Sequence, residues 1–193
     1  RKKFQRYQQM SAIQKPSTEL WNNLTSLRTH GHKAVANLYT EWLSTARPTQ
    51  ITPQGNWHIW LILAGRGWGK TRTGAADAML YALRNPNVQV AVVTPTFGDI
   101  RRVAFGGVSG ILKTLPEGCM LAGRGQGYNS SASEIRLFNG SIIYGFSATE
   151  PDRLRGPQFH RAWCDELAAW RYPEAFDQLM FSLRLGDNPQ CII

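Results

Sequence analysis

The sequence predicts an α/β fold, a mostly parallel sheet with helices on both faces, and three observations carry that expectation. Apolar and β-branched runs alternate with helical runs from residue 57 to the end of the chain. A single Asn-Gly pair marks one hairpin among them. A helical stretch precedes the alternation instead of interrupting it. Strands and helices that alternate in this way bury a sheet between helical layers.

Each element has its own signal. Residues 1–45 place Leu20, Leu24 and Leu27 on one helical stripe and Val35, Leu38, Tyr39 and Trp42 on another, separated by the glycine of HGH at 30–32. They form a helical arm or lid, and residues 46–193 form the main domain. ARPTQITPQGN, residues 46–56, is a loop by its two prolines and its glycine. WHIWLILA at 57–64 is a strand, and KTRTGAADAMLYALR at 70–84 a helix with Met79, Leu80 and Leu83 for the core. VQVAVVT at 88–94 is the second strand, bounded by NPN and TPT. A helix from about Gly98 to Leu115 follows, capped by Asp99 and loosened by its glycines. GRGQGYNSSAS at 123–133 reads as a mobile loop. EIRLF and SIIYGF flank Asn139-Gly140, where both turn positions tolerate positive φ, so they predict a hairpin at the sheet's edge. FHRAWCDE at 159–166 is a buried strand, YPEAFDQLMFSLRL a helix, and QCII the start of a further strand.

The bulk properties exclude several classes. A chain of 193 residues buries enough surface to need no staple. Cys119, Cys164 and Cys191 are odd in number, and no CxxC pair or suitably placed histidine suggests zinc. No window approaches the roughly 18 apolar residues of a membrane span, and the basic start RKKFQRYQQM has no apolar stretch behind it. A soluble, cytosolic protein without membrane contact is therefore expected. Lys and Arg number 22 against 13 Asp and Glu, and a net charge of +9 favours a polyanionic partner such as nucleic acid. Starting on Arg1 and stopping within an apolar run, the chain is expected to be part of something longer.

Ala64-Gly65-Arg66-Gly67-Trp68-Gly69-Lys70-Thr71 has the spacing of a phosphate-binding loop if alanine is accepted in the first position. It also lies between a predicted strand and a predicted helix. Its glycines would let backbone N–H groups turn toward phosphates, with the helix N-terminus adding positive partial charge. Lys70 would reach the β and γ phosphates, and the Thr71 hydroxyl would hold Mg²⁺. An ordinary first helical turn is the alternative.

Asp165 and Glu166 end an apolar strand, where open α/β sheets place their ligands. In such a pair Asp165 would hold the Mg²⁺ hydration shell and Glu166 would orient a water for attack on the γ-phosphate, which points to hydrolysis. The alternative is a helix N-cap ahead of ELAAW. Arg66 within the loop, and Arg153 and Arg155 in DRLRGPQF, are candidates to neutralise charge in the transition state, from the same subunit or from a neighbour. Otherwise they are solvated surface charges. Gln50 and Gln54 precede the first strand, where a side-chain amide can read an adenine edge.

Together, ARPTQ, AGRGWGKTRTGA, VVTPTFGDIRRV, FNGSIIYGFSA and DRLRGPQFHRAWCDELAAW resemble the large terminase subunit of tailed bacteriophages over residues 46–193. That family packages DNA into a prohead by hydrolysing ATP. The resemblance implies a RecA-like P-loop NTPase of the additional-strand class, using ATP and Mg²⁺ and translocating double-stranded DNA. It implies a non-glycine first loop residue such as Ala64, a hydrolytic role for Arg66, adenine contact for Gln50, metal positioning for Asp165 and water activation for Glu166. Arg155 resembles an arginine acting on the ATP of an adjacent subunit in a homo-oligomeric ring, with Arg153 in reserve. Thr94, Pro95 and Thr96 resemble a segment that contacts DNA or transmits motion.

The implied partners are the portal or prohead and the small terminase subunit, and the implied location is the host cytoplasm, transiently at the procapsid portal. The family's coupling motif and C-terminal nuclease domain are not within these residues. Trp68 departs from the small residue the pattern leads one to expect. Two other readings remain open at this point: a helicase-like DNA remodeller, and a nucleotide-dependent DNA-binding or assembly module without turnover.

Overall fold

The computed structural model describes residues 30–121 and 127–193. Leu20, Leu24 and Leu27, and the glycine-rich cluster up to Gln126, lie outside the described residues. The chain forms two compact units, Arg1–Ile51 and Thr52–Ile193, which divide inside the ARPTQITPQGN loop.

In the first unit, helix α1 spans His30–Thr45 and so begins at the HGH that the sequence marks as a separator. Val35 and Trp42 are buried and Leu38 and Tyr39 half-buried, which is the spacing of one helical face. A 3₁₀ turn, Pro48–Gln50, follows, and the Gln50 side-chain oxygen accepts a hydrogen bond from the Arg47 amide at 3.0 Å.

In the second unit, seven strands make one sheet: β1 (Ile59–Trp60), β2 (Gln89–Thr94), β3 (Tyr128–Asn129), β4 (Glu134–Arg136), β5 (Ile142–Ser147), β6 (Arg161–Cys164) and β7 (Gln190–Ile192). Their order is β1-β7-β6-β2-β5-β4-β3. The pairs from β1 through β5 are parallel, and β4 and β3 add antiparallel neighbours. Valine, alanine and threonine occupy the five buried positions of β2, which suits a central strand covered on both faces. Alternation then sorts the core. Ala91, Val93, Ala162, Cys164 and Cys191 join Leu154, Phe159, Trp170 and Leu179 on one face. Val90, Val92, Arg161 and Trp163 point to the other.

Helix α2 (Lys70–Arg84) covers that second face with Thr73–Leu80, Ala82 and Leu83 buried. Its centre comes closer to β6 than a side chain would permit. A Cβ at Gly74 would lie 2.2 Å from the Trp163 indole nitrogen. At the other end of α2, the Asn139 side chain donates to the carbonyls of Ala82 at 2.8 Å and Leu83 at 3.1 Å, satisfying acceptors that a helix end leaves open. The opposite face carries α5 (Glu174–Ser182), whose Ala175 and Leu179 pack beside Leu154.

Several expectations are corrected. The helix expected over 98–115 is three pieces: α3 (Phe97–Asp99), a π-helical segment Ile100–Phe105, and α4 (Ile111–Thr114). The break falls at Gly106-Gly107, residues that disfavour a continuous helix. Asp99 is not the cap. Thr96 caps α3, and the Asp99 carboxylate returns to the Thr96 amide at 3.1 Å and hydroxyl at 2.6 Å, the reciprocal arrangement of a capping box. The hairpin exists, but its second strand lies within the sheet, six residues of β5 running parallel to β2. In its turn only Gly140 has positive φ, because Asn139 is engaged with α2. Part of the segment expected as a mobile loop forms β3. The strand expected over 57–64 is short, although hydrogen bonds to β7 run from the His58 carbonyl to the Ile62 amide. Because β1 is the edge strand, its Ile59 and the following Leu61 and Leu63 are exposed.

Gly74→Ala is expected to destabilise the chain by about 3 kcal/mol, the upper end for overpacking against a rigid neighbour. Thermal unfolding checks this, with a fall on the order of 6–12 °C in the midpoint.

Candidate active site

The chain leaves β1 through Ala64–Gly69 and enters α2 at Lys70. Gly67 at φ 77° and Gly69 at φ 94° take the left-handed turns that this path requires. A Cβ at Gly65 or Gly67 would meet nothing within 4 Å, so internal packing does not demand glycine there. The loop is open on the side where a phosphate would approach. No side chain caps the N-terminus of α2, and its first turn holds no acidic residue, which leaves the positive end of a 15-residue helix facing this opening.

Opposite stands the end of β6. The Asp165 amide donates to the Val93 carbonyl at 2.8 Å, continuing the β6–β2 pairing by one residue, and its carboxyl is buried. The Thr71 hydroxyl lies close enough to that carboxyl to favour its ionised form. Burial, then the negative charges of Glu166 and Asp99, raise the Asp165 pKa to about 6, against the opposing influences of Lys70 and Thr71. Glu166 follows immediately at φ 49° and ψ 49°, a conformation that costs a residue with a side chain roughly 1–2 kcal/mol. Strain of this kind concentrates at functional positions. The sharp turn sends neighbouring carboxylates into different surroundings, with Asp165 buried and Glu166 exposed. The Trp170 indole N–H holds the turn by donating to the Asp165 carbonyl at 3.0 Å.

Lys70 joins the two sides. Its ammonium donates to the Ala64 carbonyl at 3.0 Å and lies 3.8 Å from a Glu166 carboxylate oxygen. The structure therefore brings together four of the residues singled out in the sequence: Lys70, Thr71, Asp165 and Glu166. Arg66 is exposed on the loop and Trp68 half-buried, its amide 3.4 Å from the Gly65 carbonyl. Arg153 and Arg155, both exposed, flank the buried Leu154 that ends the 3₁₀ turn Pro151–Leu154. Each pairs with an acidic residue three positions earlier, Glu150 and Asp152. Exposed pairs of this type are weak and readily exchanged. Gln50 belongs to the first unit, and Gln54 is exposed. The Thr94 hydroxyl donates to the Thr96 carbonyl at 2.7 Å, so the TPT segment is organised as a turn.

Sequence reasoning misses Asp99 as a neighbour of Asp165. Its signal, an acidic residue soon after a central strand, is absorbed by the capping interpretation. No group of three histidine, cysteine or carboxylate side chains able to hold a metal exists among the described residues. Thr71 and Asp165 offer a hydroxyl and a carboxylate, hard oxygen donors of the kind that share Mg²⁺ with phosphates and water.

A family model described as "Terminase large subunit, T4likevirus-type, N-terminal" matches residues 61–189, a span that contains all four clustered residues. The chain belongs to this large-terminase family. Among solved structures, it is similar to the large terminase ATPase domain of Thermus phage P74-26, with a TM-score of 0.56 and 17% identity, covering 93% of this chain and 69% of that one. It is also similar to the large terminase of another thermophilic bacteriophage in complex with ADP, with a TM-score of 0.51 and 14% identity, covering 83% of this chain. The likeness extends to that second phage's large terminase in complex with ATP-γ-S, with a TM-score of 0.50 and 15% identity over 83% of this chain. The chain spans 37% of the ADP-bound chain and 36% of the ATP-γ-S-bound one. At such identities the likeness is one of fold, a RecA-like sheet flanked by helices. No curated protein matches the sequence.

The raised pKa of Asp165 has a consequence for stability. The folded chain holds this proton more tightly than the unfolded chain, so the linked stability is complete below pH about 3.8 and is lost as pH rises through about 6. Asp165→Asn is expected to raise stability at pH 8 by on the order of 2–3 kcal/mol, with the gain vanishing near pH 4. Denaturant unfolding at the two pH values measures it.

Proposed function

We propose that this chain is the ATPase domain of a viral DNA-packaging motor, hydrolysing ATP to drive double-stranded DNA into a prohead. One observation carries the reading: the phosphate loop and the start of α2 set Lys70 and Thr71 against Asp165 and Glu166 at the end of β6. Family membership supports the same conclusion.

ATP would lie in the loop with its phosphates on the backbone N–H groups of Gly65–Lys70, and Lys70 would exchange the Ala64 carbonyl for phosphate oxygens. Thr71 and Asp165 are the residues to hold Mg²⁺, and a buried carboxyl that ionises reluctantly gains from a cation beside it. Mg²⁺ bound there would neutralise charge on the β and γ phosphates. Glu166, exposed and free to meet solvent, would accept a proton from the attacking water and aim it in line with the leaving oxygen. Its contact with Lys70 would open as the lysine moves to phosphate. Arg66 would stabilise the γ-phosphoryl from within the loop. Arg155 would leave its exposed pairing with Asp152 to act on the ATP of the next subunit in a ring. Gln50 would contact adenine. The portal and the small terminase subunit are the partners of such a motor, at a procapsid in the host cytoplasm, and the excess of positive charge suits a DNA substrate.

Glu166→Gln is expected to lower Mg²⁺-dependent ATP turnover by about 10²–10⁴-fold with nucleotide affinity retained. Equal turnover in the two proteins would leave a nucleotide-dependent assembly module instead. In mixed assemblies, Arg155→Ala subunits combined with Glu166→Ala subunits are expected to recover turnover at the interfaces that pair an intact Arg155 with an intact Glu166. Absence of recovery under assembling conditions would remove the trans role.

A further inference from the structure

Midway along α2, two turns beyond the phosphate loop, lies a buried ionic network that the proposed chemistry does not use. Arg161 and Asp77 are each 4% exposed, and the guanidinium grips both carboxylate oxygens, Nε to Oδ2 at 2.8 Å and Nη2 to Oδ1 at 2.6 Å. The remaining groups are also occupied. Arg161 Nη1 donates to the Gln190 side-chain oxygen, and the Thr52 hydroxyl donates to Asp77 at 2.6 Å. The guanidinium lies over the rings of Trp57 at 4.6 Å and Tyr81 at 5.0 Å. Arg161 opens β6, the strand that Asp165 and Glu166 extend at its other end, and Asp77 lies on the helix that Lys70 and Thr71 open.

The helix and the strand run in opposite directions and touch at three levels. Thr71 meets Asp165, Gly74 meets Trp163, and Asp77 meets Arg161. On the helix these positions recur every three residues, and on the strand every two, so both sets share a face. The middle contact is a bare backbone against an indole. It resists closer approach but has no directional bond to stop α2 from sliding along β6. A bidentate guanidinium–carboxylate pair is directional and fixes that position. The phosphates are bound by one rigid piece, the loop and the helix it opens. The metal position needs two pieces, since Thr71 comes from α2 and Asp165 from β6.

We propose that Arg161, through Asp77, is a positioning residue that sets the register of α2 on β6 and thereby holds the Thr71 hydroxyl and the Asp165 carboxylate at the separation that Mg²⁺·nucleotide requires. The proposal rests on the ATPase reading of the same site.

The test uses the whole chain, fluorescent ATP-γ-S as probe and a Mg²⁺ titration, with thermal unfolding alongside. In Arg161→Lys the charge remains, but one ammonium cannot reproduce the planar fork that grips Asp77 while bonding Gln190. The Mg²⁺ concentration for half-maximal tight binding is expected to rise about tenfold in Arg161→Lys, with affinity for metal-free nucleotide changed less than about twofold. Asp77→Asn is expected to act in the same direction. Leu179→Ala, buried on the opposite face, is expected to lower the unfolding temperature and leave the Mg²⁺ dependence at the wild-type value. An unchanged Mg²⁺ requirement in Arg161→Lys, or an equal rise in Leu179→Ala, overturns the proposal alone. So does failure of both Arg161→Lys and Asp77→Asn to fold, which assigns the pair to stability. A wild-type chain whose nucleotide affinity ignores Mg²⁺ overturns it together with the reading it rests on.

Discussion

The close approach of α2 to β6 at Gly74 is the constraint on which the rest of the site depends. With no side chain at that position, the helix settles against the Trp163 indole, and its first turn is delivered to the carboxyl end of the strand. Any larger residue would hold the helix away and separate Thr71 from Asp165. The contact therefore links packing to chemistry: it closes the core on one face of the sheet and sets the gap between the loop and the acidic pair. The glycine at position 74 and the indole at position 163 are complementary choices, since a large flat ring fills the space that the missing side chain leaves.

Around this contact, unfavourable electrostatics and backbone strain gather at the carboxyl end of β6. Asp165 is held in a buried position where its own ionisation is disfavoured, with Glu166 and Asp99 adding negative charge nearby. Glu166 sits in a left-handed conformation that a glycine would adopt more easily. Lys70 partners the Ala64 carbonyl and approaches Glu166. The first two features cost the protein stability, and all three are of the kind that a phosphate or a divalent cation would engage. A site organised for stability alone would place a glycine or asparagine after the strand and a neutral residue at its end.

Much of the fold is legible in the sequence because its signals are local. Gly69-Lys70 opens α2 and Asn85-Pro86 closes it, so the expected span 70–84 agrees with the observed helix. The β-branched run of β2 and the Asn-Gly turn before β5 likewise announce themselves. The features that are not legible depend on distant partners. Asp77 and Arg161 are 84 positions apart, and neither residue type at its position predicts burial. The break near Gly106 is hidden by residues on either side that individually favour a helix. Asn139 reads as a turn residue because the helix end it satisfies lies 57 positions upstream. The phosphate loop and the acidic pair are each visible as spacing, whereas their meeting through Thr71 and Asp165 is a property of the sheet order, with β7 inserted between β1 and β6.

The central claim is that these separated segments form one nucleotide site. Its most direct measurement is a crystal structure of the chain with ATP-γ-S and Mn²⁺ in place of Mg²⁺, the metal located by its anomalous scattering. The account predicts a single metal between the Thr71 hydroxyl and the Asp165 carboxylate, with Lys70 moved from the Ala64 carbonyl onto phosphate oxygens and Glu166 facing the γ-phosphate. Nucleotide bound elsewhere, or bound in the loop with Lys70 still on Ala64 and no metal beside Asp165, would contradict it.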